Sequence, residues 1–313
     1  MSMEFQELCE VPLLAGYTIV LTLVLGAVFG SFLNCAAWRI VHHESVLKGR
    51  SHCATCGHPL HAADLVPVFS YLFLHGKCRY CGEKISPRYM FAELISAGLW
   101  LLCLVRYGLT PELVRAVLLV CILFTLSLVD LESYRIPNSM ILALILVYAV
   151  TFPFIELGLL GSLSVGQTEA AAEAAAGVIG RADGPTSIFV AGSNAGSVSA
   201  AAVLRTLALP ALAKSLGGAL LLGGGLFIIS LIFDRVTGKE GLGGGDIKLF
   251  FAAGLYLGAL RGLLCVIVSC LIGLLFALTR RNQKIPFGPA ISIGIILTLF
   301  WGQPLVDWYI GLL

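Results

Sequence analysis

The run Gly241-Leu242-Gly243-Gly244-Gly245-Asp246-Ile247-Lys248 places a carboxylate at the mouth of an apolar segment. An ionisable group at the edge of a bilayer core is costly and tends to be kept for a task, so Asp246 asks for a partner. The candidate is Asp130, which ends the apolar run 118–129 and begins Asp130-Leu131-Glu132-Ser133-Tyr134-Arg135-Ile136-Pro137-Asn138. Two carboxylates held together share one proton, because like charges at close range do not both ionise, and this leaves one acid and one base to activate a water. That is aspartyl-protease chemistry. Gly243, Gly244 and Gly245 leave room for an extended peptide to lie beside the carboxylate, and the Lys248 ammonium is near enough in sequence to act on it. Plainer readings stand beside these. The glycines also suit a helix-entry loop with Asp246 as its N-cap, Asp130 a loop carboxylate paired with Arg135 or solvated, and Lys248 a side chain snorkelling to lipid phosphates. Glu132 is a nearby alternative to Asp130, expected deeper in the aqueous loop.

A second constellation lies earlier. Cys53-x2-Cys56 and Cys78-x2-Cys81 bracket a loop of 21 residues, and each pair is followed by a glycine, Gly57 and Gly82. Zinc takes four ligands at tetrahedral angles, and paired CxxC turns supply four thiolates. A site closed by four sulfurs has no position for water, so the metal is expected to be structural, holding the loop folded over the membrane face. Redox-active or free thiols are the alternative. All six histidines crowd the same region and read as polar loop residues, because the thiolates already fill the tetrahedron. The other six cysteines lie in or beside apolar segments, where a thiol behaves as a small hydrophobe.

The elements that must position these groups are membrane helices. At 58% hydrophobic and 12% charged, 313 residues are too apolar for a soluble domain. At about 20 residues per crossing, spans are expected near 12–37, 90–106, 112–130, 136–156, 212–233, 247–259, 260–279 and 288–311, an all-α polytopic protein of about eight transmembrane helices. The sixth is short for a crossing, the pattern of a broken or partly re-entrant helix. Glu4, Glu7 and Glu10 precede the first span, which reads as uncleaved. Fourteen of the twenty Lys and Arg residues fall in the segment 39–90 and the loops on its side, which the positive-inside rule assigns to the cytoplasm. Both aspartates then lie at cytoplasmic span ends, and the thiols lie on the reducing side, where disulfides are disfavoured.

The chain divides into a first span (1–38), a cytoplasmic four-cysteine loop (39–89), spans two to four with the first aspartate (90–156), a low-complexity external loop (157–211), and spans five to eight with the glycine motif (212–313). The Ala, Gly and Ser content of 157–211 reads as a largely flexible insert.

Taken together, the blocks Gly30-Ser31-Phe32-Leu33-Asn34 with Arg39, both cysteine pairs, Asp64-Leu65-Val66-Pro67, Ser70-Tyr71, Ile85-Ser86-Pro87-Arg88-Tyr89 with Glu93, Asp130 to Asn138, Gly241 to Lys248, and Ile285-Pro286-Phe287-Gly288-Pro289 run in one order over nearly the whole chain. The sequence thereby resembles the prepilin peptidases, bacterial integral-membrane GxGD aspartyl proteases. Two departures are Ala54, at a position often filled by proline, and the long insert at 157–211.

The resemblance implies that Asp130 and Asp246 are catalytic, that Cys53, Cys56, Cys78 and Cys81 belong to the cytoplasmic loop of bifunctional members, and that the substrates are prepilin or pseudopilin precursors. Such enzymes remove a short basic leader at the cytoplasmic face of the bacterial inner membrane. They then methylate the new N-terminus with S-adenosylmethionine; a nucleic-acid partner is not expected. No Rossmann-type glycine loop marks a methyl-donor site, so that activity rests on the resemblance, with Gly30, Ser31, Asn34, Arg39, Glu93 and the cysteine loop as its candidate region. Gly30 and Ser31 equally suit close helix packing, and Glu93 an ion pair with Arg88 or Arg39. Two rival classes remain: an ion- or proton-coupled transporter built on the broken helix, and a zinc-loop scaffold without catalysis.

Overall fold

The computed structural model describes residues 5, 10–46, 49–53, 55–156, 209–238, 241–279 and 286–312. Among these the chain is helical or irregular, with only two isolated β-bridges, His52 to Pro59 and Lys77 to Lys84, both in the cysteine module. In order, the helices are α1 (Pro12–Val41), the short α2 (Phe69–Phe73), α3 (Arg88–Tyr107), α4 (Pro111–Ser133), α5 (Asn138–Ile155), α6 (Leu209–Thr237), α7 (Gly244–Thr279) and α8 (Gly288–Ile310). All but α2 are long and apolar enough to cross a membrane. The expected insert falls outside the described residues except for 209–211, which begin α6.

Helix boundaries follow local chemistry. Pro12, Pro111 and Pro289 sit in first turns, where a missing N–H costs nothing. Tyr134 ends α4 in the left-handed conformation, its N–H donating 2.9 Å to the carbonyl of Asp130, and Pro137 then starts α5.

Counting α7 as one rod would mislead. A straight helix from Gly244 to Thr279 would be about 54 Å long and would carry its ends to opposite faces. Instead, Lys248 Nζ donates to Asn138 Oδ1 at 3.0 Å and Tyr256 Oη to the Leu144 carbonyl at 2.6 Å, so the first arm, 244–257, runs alongside α5 in the same direction. Beyond it, Arg261 lies near Gly302, Ser269 against Gly294 and Gly273 against Phe287, so the second arm, 259–279, descends antiparallel to α8. Gly288, one residue past Phe287, bonds Asp130 at the end where α7 began. The chain therefore turns back at Gly258, whose φ of 72° and ψ of −171° no side-chain-bearing residue adopts comfortably. The seven apolar helices make eight rods, and the expected boundary between 247–259 and 260–279 lies within two residues of the turn.

The core gathers Leu123 and Leu126 of α4, Leu144 of α5, Leu249 of α7, and Ile291 and Ile295 of α8. Close packing of such side chains, with small residues where backbones approach, is what associates helices in lipid.

Candidate active site and cysteine module

Asp130 occupies the last turn of α4 and is 4% exposed. Its Oδ2 accepts a 2.8 Å hydrogen bond from the N–H of Gly288, the first residue of α8. A Cβ on Gly288 would stand 2.7 Å from that oxygen, so the bond exists because the position carries no side chain. Asp246 stands in the first turn of α7, its amide donating to the Gly243 carbonyl at 3.0 Å and its own Oδ2 folded back over Gly243. Ile136, in the connection that follows α4, packs on Gly245, which draws the two helix ends together. Three segments remote in sequence thus deliver two carboxylates and a backbone donor to one place, the arrangement needed to orient a water and polarise a carbonyl.

Neighbouring acids are otherwise engaged. Glu132, the nearby alternative to Asp130, is paired with Arg88 at the start of α3 through one of its oxygens. Among the described residues Arg135 does not form the expected pair with Asp130, which is bonded instead by the Gly288 amide. Lys248 reaches Asn138.

At the same end of the bundle, the Sγ atoms of Cys53, Cys56, Cys78 and Cys81 all lie within 4.8 Å of one another, Cys53 and Cys81 at 3.9 Å. A tetrahedron of zinc–sulfur bonds of about 2.3 Å has edges of about 3.8 Å. The two knuckles repeat one design: Gly57 N–H bonds the Cys53 carbonyl and Gly82 N–H that of Cys78, each glycine at positive φ. The amides of Cys56 and Thr55 bring the Cys53 thiol down to about 6, against partial burial. At Cys81 the Glu83 amide acts in the same sense, but burial and the other three thiols outweigh it and push the group up to about 12. Four sulfurs so placed ionise together only around a cation, and the donor set therefore fits a divalent metal. No histidine joins the cluster; His58 instead stacks on Tyr80 at 3.8 Å and His42 on Trp38 at 4.1 Å.

Between this module, α1 and the start of α3 lies a cavity of about 720 Å³, within the range of small-molecule sites. Ser31, Asn34, Arg39 and Glu93 line it, as do Cys53 and Cys78. Gly30 is not in its wall. A Cβ there would meet the Ser96 Cβ at 2.6 Å, so its role is helix packing. The buried Arg39 guanidinium donates to the carbonyls of Ser45, Val46, Gly49 and Arg50 at 3.2–3.3 Å, gathering the loop over the end of α1. Among the described residues Glu93 is ion-paired with neither Arg88 nor Arg39; its Oε2 accepts the Val68 N–H at 2.7 Å. Val68 sits at φ 63° in a tight turn closed by the Phe69 N–H on the Pro67 carbonyl, a strained conformation for a β-branched residue.

Comparison with known proteins gives the family. Residues 24–107 match the bacterial peptidase A24 N-terminal domain, and residues 185–278 match the type IV leader peptidase family. A prepilin leader peptidase/N-methyltransferase of Bacillus subtilis is 31% identical, the match covering 92% of this chain and 96% of the relative. The chain belongs to the prepilin leader peptidase/N-methyltransferase family. Family members of the same description from Xanthomonas campestris pv. campestris and Neisseria gonorrhoeae are 31% and 28% identical over 91% of this chain, and over 92% and 91% of their own lengths. No solved structure matches. As a member of a leader peptidase family the chain is an enzyme, which sets aside the transporter and scaffold readings. The type IV leader peptidase match at 185–278 includes Asp246, whereas Asp130 lies between the two matched regions.

Some contacts of the candidate site carried no usable sequence signal. The Gly288 donor was visible only as part of a Pro-Phe-Gly-Pro block, and the Val68 amide that holds Glu93 belongs to a backbone.

Proposed function

We propose that the protein is an aspartyl endopeptidase that removes the basic leader of prepilin-like precursors at the cytoplasmic face of the bacterial inner membrane, with Asp130 and Asp246 as its catalytic pair. The observation that carries this reading is the convergence of those two carboxylates, from the end of α4 and the start of α7, at the end of the bundle that holds the cysteine module. One carboxylate takes a proton from the attacking water while the other, protonated, gives its proton to the scissile carbonyl oxygen. The Gly288 amide fixes one oxygen of Asp130 and leaves the other for this exchange. Gly243 to Gly245 leave the approach to Asp246 clear of side chains, and Lys248 stands at the edge of that approach.

The four cysteines would hold a structural zinc that folds residues 39–89 over the membrane face. The cavity beside them would hold S-adenosylmethionine, which when bound would supply a methyl group for the new amino terminus. Arg39 shapes the cavity by fixing its covering loop, and Glu93 by holding the strained turn at Val68.

The test is cleavage of a precursor with a basic leader by detergent-purified protein. Asp130→Asn and Asp246→Asn are each expected to lower turnover more than about a hundredfold while metal content, read by elemental analysis, stays at the wild-type level. Cutting that survives either change removes the pair as assigned.

A further inference from the structure

Helix α2 (Phe69–Phe73) has two unlike faces. Ser70 and Tyr71, with Leu74 just beyond, turn inward and line the cavity beside the cysteine module. Phe69, Leu72 and Phe73, spaced i, i+3 and i+4 along the other face, are 61%, 55% and 79% exposed. Leu65 and Val66, just ahead in sequence, are exposed as well. Five large apolar side chains within the nine residues 65–73 are thus left uncovered, and such a concentration marks an interaction surface.

Depth identifies what covers it. The N–H of Val68, immediately before α2, is bonded to Glu93 Oε2 at 2.7 Å. Glu93 lies five residues along α3 from Arg88, about 7.5 Å into the bundle, and Arg88 pairs with Glu132, two residues beyond Asp130. The bond therefore draws α2 down beside the first turns of α3, near the level of Asp130 at the end of its span, instead of leaving it above the helix ends. Along those turns Phe91, Leu94 and Ile95 of α3 are exposed too, the apolar surface that a spanning helix shows to lipid. The chain after α2 adds charge of the fitting sign. An isolated antiparallel bridge sets Lys77 opposite Lys84, and both are exposed. Like charges placed opposite one another repel, and among the described residues neither lysine is ion-paired. A surface of anionic headgroups relieves that repulsion.

We propose that α2 is an interfacial anchor. Phe69, Leu72 and Phe73 sink into the boundary between headgroups and acyl chains of the bilayer that the protein itself crosses, and Lys77 and Lys84 rest on anionic headgroups. Amphipathic segments with aromatic residues on one face and basic ones beside it lie in that plane. The inference rests on the membrane-crossing helices and not on the peptidase reading. Since the inner face of α2 is one wall of the cavity, the bilayer backs that wall from outside.

The experiment places a photoreactive phenylalanine at position 73, or at position 55 in the first CxxC turn, in the full chain reconstituted into vesicles of phosphatidylethanolamine and phosphatidylglycerol. Mass spectrometry is expected to find phospholipid attached at position 73 and not at position 55. Exchanging phosphatidylglycerol for phosphatidylcholine is expected to lower that capture about threefold, and the double variant Lys77→Gln, Lys84→Gln to lose this dependence. Capture of a second copy of the chain in place of lipid, no lipid adduct, or equal adducts at the two positions overturns the anchor. A yield indifferent to phosphatidylglycerol in the unsubstituted lysine background overturns the role of the lysines. As a second measurement, Phe69→Asp combined with Phe73→Asp is expected to raise proteolysis of the segment 65–77 in vesicles about tenfold while metal content stays at the wild-type level; unchanged proteolysis overturns the anchor.

Discussion

Asp64 illustrates how single side chains hold the cysteine module together. Partial burial works against its ionisation, but the His61 amide, the Tyr80 hydroxyl and the Arg79 guanidinium, at 2.7 Å, outweigh it and hold the carboxyl below the usual range. A group depressed in this way stabilises the folded module fully above its unfolded value, about 3.9, and loses that contribution as pH falls through the folded one. Asp64→Asn is therefore expected to melt at a lower temperature than wild type at pH 7, with the gap narrowing below about pH 4; thermal melts across that range check it. At this scale the sequence was a partial guide. Asp130 and Asp246 could be found because a carboxylate at the end of an apolar run is conspicuous. What Glu93 and Arg39 bind could not, because each is satisfied by backbone groups that any residue presents.

Among the elements, the junction of α4 with α8 decides whether the site is formed. Gly288→Ala would set a methyl group 2.7 Å from Asp130 Oδ2, displacing the carboxylate and the amide that holds it. Precursor cleavage is expected to fall by about tenfold or more, with helix content by circular dichroism unchanged, because a misplacement near 1 Å can cost about a hundredfold. Hydropathy placed the ends of α4 and α7 well, since length and composition carry that information. The pairing of α4 with α8 was illegible because it joins positions 158 residues apart and depends on the absence of a side chain. The turn at Gly258 was half legible: a segment too short to cross was evident, but its reversal follows only from what lies beside each arm.

For the molecule as a whole, the cysteine module and the two aspartates share one end of a single bundle. The cysteine module joins the helices through Glu93 on α3 and Arg39 on α1, whereas the aspartates are carried by α4 and α7. Cys78→Ser is accordingly expected to lose its metal, by elemental analysis, and to expose the segment 45–87 to limited proteolysis. Precursor cleavage should fall less, by a few-fold, than methylation of the product, which should be lost. Paired CxxC spacing made the four-sulfur cluster legible; the cavity behind it was not, because its lining comes from three segments separated in sequence.

The first arm of α7 spans about 21 Å from Gly244 to its turn, whereas a bilayer's hydrocarbon core is about 30 Å thick. From Leu249 to Gly258 the arm has no exposed residue, so protein and not lipid surrounds it, and a turn that stops short of the far face is sheltered where unpaired backbone groups would otherwise meet hydrocarbon.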